Sequence, residues 1–259
     1  MSGLLGEELF GRTESVTLVS ATLTAGGTFD FVRSELGVPD GALELVAESP
    51  FDFESQALLV VPEGLPDPRD PAFPDAVAAV MARVMDLCGG RTLGLFTSYR
   101  VLDVVYERIG GNGHRVLRQE EMPRTELARI FKEDVRSVLL GTDSFWTGID
   151  VPGEALTGLV IDKLPFPHPE DPVVSAICER DPQAFRNYLV PRAIITLRQG
   201  VGRLIRSRRD FGVVVLLDRR VAEKAYGRRF LRSLPPMLTT RRLENIPRFL
   251  EEAAHACAG

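Results

Sequence analysis

The sequence predicts an α/β fold, a mostly parallel sheet with helices on both faces. Three observations predict it. Short aliphatic or β-branched runs recur along the chain, separated by stretches of helical periodicity. Runs such as residues 213–217, Val-Val-Val-Leu-Leu, are apolar without alternation, as strands covered on both sides are. The composition, 44% hydrophobic and 26% charged over 259 residues, can fill one sizeable core.

Seven strands are expected: Val16–Ser20, Ala57–Val61, Thr92–Phe96, Arg115–Leu117, Ser137–Leu140, Leu159–Ile161 and Gly212–Leu217. Between them, apolar residues at 77, 80, 81, 84, 85 and 87 give one face of a helix over Ala76–Cys88. Ser98 is placed to cap a helix running through Ile109, with Val101, Leu102, Val105 and Ile109 on one side. Thr125–Phe131 reads as a shorter helix. Pro182–Arg206 reads as a longer one, or as two helices broken near Pro191. The tail from about Leu243 reads as a closing helix. The Pro-rich stretches 62–71 and 164–172 read as surface loops. No internal repeat or strong boundary interrupts the chain, so one domain over 1–259 is expected.

The same composition excludes several classes. No run approaches the roughly twenty apolar residues of a membrane span. The N-terminus lacks a basic segment and carries Glu7 and Glu8, a poor secretory signal. Cys88, Cys178 and Cys257 are few and far apart, which fits a reducing cytoplasm better than a disulfide framework or zinc ribbon. The three His are scattered, so no metal site is expected. The formal net charge is −5, but it is unevenly spread. Residues 186–242 carry a local net of +12 and the remainder −17. Two readings fit: an anion-facing region on an acidic body, or a solvated basic helix face.

Four segments offer chemistry. In Gln199-Gly-Val-Gly-Arg-Leu-Ile-Arg206, a continuous helix would put Gln199, Arg203 and Arg206 on one face. Arg carries a fixed fork of donors suited to phosphate oxygens and stays charged. Gly200 and Gly202 each cost a helix about 1 kcal/mol relative to Ala, which points to a close approach of backbone or ligand. The segment 140–153 follows a strand. It sets Thr142, Asp143 and Ser144 at a strand's carboxyl end, where open parallel sheets bind ligands. In it Gly148 permits close approach and Asp150 can accept from a sugar hydroxyl or an Arg; Trp146 fits core packing better than base stacking. Ser20-Ala-Thr22-Leu is a hydroxyl pair after a strand, readable as a helix cap or a turn and a weak signal by itself. Thr97 and Ser98 also follow a strand; their hydroxyls could touch phosphates, but a helix cap at Ser98 is the default reading.

In this order the four segments resemble motifs III, IV, V and VI of the second motor lobe of DinG/XPD-type superfamily 2 DNA helicases. Ser20–Leu23 is similar to motif III, Leu95–Tyr99 to motif IV, Ser137–Pro152 to motif V and Gln199–Arg206 to motif VI. Lys163–Phe166, Asp171-Pro172, 218–220 and 233–235 also resemble family wording, so the resemblance covers nearly the whole chain. It implies a RecA-like α/β lobe that closes with a first lobe, in the same or another chain, on ATP and Mg2+. Both lobes would then move 5′ to 3′ along single-stranded DNA. Arg203 and Arg206 would be arginine fingers. Gln199, Gly202, Gly148 and Asp150 would join them around the nucleotide. Thr142, Asp143, Thr97 and Ser98 would lie near the nucleic-acid backbone, and Ser20 and Thr22 would transmit hydrolysis to strand movement. The chain departs from the family at Thr147, where Glu is usual. It contains no GxxxxGK[ST] loop and no DEAH-type Asp-Glu pair after a strand. Alone it is therefore expected not to hydrolyse ATP. The chain would be one domain of a larger enzyme, a partial product or half of a split one. An iron–sulfur cluster, where present, would belong to the first lobe. The alternative is a binding module derived from such a lobe.

Overall fold

The computed structural model describes residues 5–146 and 155–257, the side chains of Asp143 and Ser144 excepted. Seven strands form one sheet: β1 (Ala57–Val60), β2 (Thr92–Leu95), β3 (Val116–Arg118), β4 (Val138–Gly141), β5 (Gly158–Ile161), β6 (Gly212–Leu216) and β7 (Leu238–Thr240). The order is β3-β4-β2-β5-β6-β1-β7 and every pairing is parallel.

Side chains alternate between two cores, as the pleat requires. Leu59, Leu93, Leu139, Leu159, Ile161 and Val214 face one way, onto Ile194 and Leu197 of helix Val190–Val201, Phe131 of Arg124–Glu133 and Phe230 of Gly227–Ser233. Leu58, Val60, Val138, Val160 and Val213 face the other way. There they meet Met81 of helix Phe73–Leu87, Leu102 of Tyr99–Ile109 and Phe249 of Ile246–Cys257. Both cores are buried because helices cover both faces. That is why the strands read as apolar runs.

Pro74 starts the 73–87 helix, where its missing N–H costs nothing. The stop is tight: Gly90 has φ 83°, and a Cβ there would overlap the carbonyl oxygen of Arg136. Two sequence expectations are corrected. Val16–Ser20 is not a strand. Its residues are mostly exposed, Val19 at 87%, and no strand of the sheet pairs with it. The seventh strand is instead β7, three residues on the edge beside β1. The long 182–206 helix is also shorter than expected. A π-helical turn at Phe185–Leu189 runs directly into the 190–201 helix, with Pro191 in its first turn, and the helix ends at Val201. The glycines at 200 and 202, poor helix formers, sit at that end.

Candidate functional site

The motif at 199–206 bends, so its residues do not share a helix face. Gln199 lies in the last turn of the helix; Arg203 and Arg206 lie in the turns beyond it. They still meet. Gln199, Gly202, Arg203 and Arg206 line one cavity of about 1140 Å³, with Ala21 and Thr22 on its wall.

Each arginine is held differently. Arg203 is only 7% exposed. Its Nε and Nη2 donate to the carbonyl oxygen of Trp146 at 3.1 and 2.6 Å. The Arg206 turn is braced from below. Asp210 Oδ2 accepts from the amides of Arg206 and Ser207 at 2.8 Å each. Gln56, itself buried, donates to the carbonyls of Ser207 and Asp210 at 2.9 and 2.7 Å. Burial holds the pKa of Arg203 and Arg206 below the usual guanidinium value; Arg124 adds to this at Arg203, while Asp210 opposes it at Arg206. Neither group deprotonates. The direction reports the cost of burying the two charges.

Thr22 belongs to this cavity. Its Oγ1 lies 3.5 Å from Gln199 Nε2 and 3.4 Å from Ser20 Oγ. The exposed valine of the expected strand is thus close in sequence to a hydroxyl that does reach the site.

Thr97 and Thr142 form a second group at the carboxyl ends of β2 and β4. The amide of Phe96 donates to Gly141 O at 2.8 Å and brings the two ends together. Both threonines are turned inward. Thr97 gives its amide and hydroxyl to Asp162 at 3.1 and 3.3 Å. Thr142 is 2% exposed and gives its amide and hydroxyl to Gln119 Oε1 at 2.6 and 3.2 Å. Gln119 then donates to the hydroxyl of Tyr99 at 2.8 Å. The expected contacts at Thr97 and Thr142 are therefore already engaged within the chain. Ser98 sits in the N-cap position of the 99–109 helix but its side chain makes no capping bond. Of the three hydroxyls, only that of Ser98 is left to an outside partner.

Trp146 joins the two groups. It is 2% exposed, donates from Nε1 to Phe96 O at 2.9 Å and accepts from Arg203. A Cβ on Gly200 would come to 3.0 Å from its ring, so this glycine is there for packing. The core reading of Trp146 is borne out.

The sequence reading singled out neither Asp162, Gln119, Gln56 nor Arg198. Gln119 and Gln56 carry no local signal. Asp162 had one: an acid directly after an apolar strand.

Gly148, Asp150 and the departure at Thr147 lie outside the described residues, and the side chain of Asp143 does too. Among the described residues no group of three or more His, Cys, Asp or Glu could hold a metal. No helix among them is long and apolar enough to cross a membrane.

Residues 81–237, more than half of the chain, match the family described as helicase C-terminal domain. This chain belongs to the helicase C-terminal domain family. It is 37% identical over 251 residues to the ATP-dependent DNA helicase YoaA of Haemophilus influenzae, covering 95% of this chain and 39% of the relative. It is 36% identical over 265 residues to the ATP-dependent helicase DinG of Mycobacterium tuberculosis, covering 98% and 40%. The chain thus spans about two fifths of the length of these relatives. The fold is similar to that of the S. tokodaii Xpd4 structure, with a TM-score of 0.54 and 16% identity, over 78% of this chain and 41% of that one. The expected RecA-like α/β lobe is therefore the fold of this helicase C-terminal domain.

Proposed function

We propose that this helicase C-terminal domain is the second motor lobe of an ATP-dependent DNA helicase. The observation that carries the reading is the meeting of Gln199, Arg203, Arg206 and Thr22 around one cavity. Arg206 and Arg203 supply positive charge to the triphosphate, and Gln199 and Gly202 complete the contact. Two guanidiniums lining one cavity favour the transition state of phosphoryl transfer, where charge spreads over the equatorial oxygens. Gly148 and Asp150 belong to the same role through the family resemblance.

The sequence has no GxxxxGK[ST] loop, and the described residues include no group of three or more His, Cys, Asp or Glu that could hold a metal, so the first lobe holds the nucleotide and its metal. Any iron–sulfur cluster belongs there too. Single-stranded DNA runs over the carboxyl ends of β2 and β4. Ser98 touches its backbone, Thr97 and Thr142 hold that surface in place, and Asp143 belongs with them by family resemblance. Ser20 and Thr22 carry the motion between nucleotide and strand. The three cysteines are free, which suits a reducing cytoplasm.

The test compares this chain with the longer protein containing it. ATP hydrolysis stimulated by single-stranded DNA is expected only for the longer protein. Affinity for the strand should fall steeply from about 50 to 200 mM salt. Hydrolysis by this chain alone, or affinity independent of salt, would refute the assignment. DNA binding without hydrolysis by the longer protein would favour a binding module.

A further inference from the structure

We propose that Arg198 is the positioning residue that locks the Ser20–Thr24 segment to the nucleotide-facing end of the 190–201 helix, so that the two move together. The inference rests on the motor reading above, which gives Arg198 no role.

The geometry is specific. Arg198 Nη1 donates to the carbonyl oxygen and to Oγ1 of Thr24 at 2.7 and 2.8 Å, and Nη2 donates to the carbonyl oxygen of Ala21 at 3.2 Å. One guanidinium thus grips both ends of a four-residue stretch lying 174 to 177 positions earlier in the chain. Residues 20–24 form neither helix nor strand, so what grips them sets their position. Their other described side-chain tie to the helix is the 3.5 Å approach of Gln199 to Thr22. Just downstream, the Gly26 amide donates to Ser233 Oγ at 3.1 Å.

The chemistry fits positioning better than surface charge. Burial depresses the Arg198 pKa, and no carboxylate offsets that cost. All three acceptors are neutral oxygens. A charge held this way contributes orientation, because charge-assisted bonds are roughly twice as strong as neutral ones. A guanidinium reaches the three oxygens from two nitrogens of one rigid fork, whereas Lys offers a point charge on a flexible stem. Arg198 is next to Gln199 and four residues ahead of Gly202, where the helix ends at the cavity. A shift of that end on nucleotide binding would draw Ala21 and Thr24 with it, and Thr22 between them.

The experiment uses the complete helicase containing this lobe, with ATP hydrolysis and strand separation measured on one preparation. Arg198→Ala should lower base pairs separated per ATP by about tenfold, the scale of losing charged hydrogen bonds. ATP turnover should fall by much less. Arg198→Lys should recover little of the ratio. Thr24→Val, which removes one acceptor, should lower the ratio partway, and should add nothing in the Arg198→Ala background. As a readout independent of activity, amides 21–26 should exchange faster in Arg198→Ala while those of β2 and β5 stay protected. An unchanged ratio would overturn the proposal. So would a parallel loss of turnover and strand separation, which marks a general structural role. A parent enzyme with no DNA-stimulated hydrolysis would instead sink the motor reading, and this inference with it.

Discussion

Asp162→Asn should make the domain more stable at alkaline pH while removing a charge next to the strand-end surface. Asp162 is fully buried after β5. Burial raises its pKa from 3.8 to about 7, against the opposing pull of Lys163 and of the bonds from Thr97 and the Lys163 amide. In the unfolded chain the carboxyl ionises near 3.8; in the folded chain it holds its proton to about 7. Between these values the folded state binds more protons, so stability falls as pH rises. One unit is worth about 1.4 kcal/mol, so the interval from pH 5 to 7 costs the parent about 3 kcal/mol. The side-chain amide of the variant has no such proton to lose. It gives up an acceptor, a fixed cost of about 1–2 kcal/mol at every pH. The assay is urea unfolding of both proteins at pH 5 and pH 8, read as the difference in stability. Every other group is common to both proteins and cancels in that difference. The two proteins should be about level at pH 5, where the parent has already lost about 1.6 kcal/mol, and the variant should be the more stable by about 2–3 kcal/mol at pH 8. A difference that stays constant between the two pH values would refute the reasoning.

Other perturbations have equally definite outcomes. Arg203→Ala removes the two bonds to Trp146 O and leaves that buried carbonyl unpaired, costing about 1–3 kcal/mol; the emission of this sole Trp should shift to longer wavelength, and an unchanged spectrum would argue against the clamp. Gly90→Ala should destabilise by more than about 2 kcal/mol, since its φ is positive and its Cβ would strike the Arg136 carbonyl. Gly111→Ala, with similar φ but open space around it, should cost no more than about 1–2 kcal/mol; thermal melts of the pair check both. Burial pushes the Cys88 thiol up to about 12, so Cys88 should resist a thiol reagent at pH 8 until the chain unfolds, whereas exposed Cys178 should react first. Rapid modification of Cys88 in the folded chain, seen by mass spectrometry, would contradict the packing.

Much of this was legible in the residues, for reasons that differ by element. Six of the expected strands form, because continuous apolar runs such as 213–217 have nowhere to go but a sheet buried on both sides. Val16–Ser20 has the same local character and fails, since strand formation needs a partner edge and local propensity cannot supply one. β7 was missed because three half-polar residues at an edge leave almost no pattern. At the site, 199–206 showed its chemistry and misled on its geometry. The residues it names do line one cavity, but the helix stops at Val201 and the arginines converge through a turn. Gln56, Gln119 and Arg198 act on partners far away in sequence, across 151, 23 and 174 residues, and no local spacing announces that.

The central claim is that Arg206 serves a nucleotide bound chiefly by another lobe, and ATP turnover of Arg206→Ala in the complete helicase tests it most directly. Its backbone brace, Asp210 with Gln56, does not need the guanidinium, so the turn should survive the change. Turnover should fall by about 10³-fold or more, as loss of an arginine finger does, while nucleotide binding is largely kept. A variant that hydrolyses ATP as fast as the parent would contradict the account.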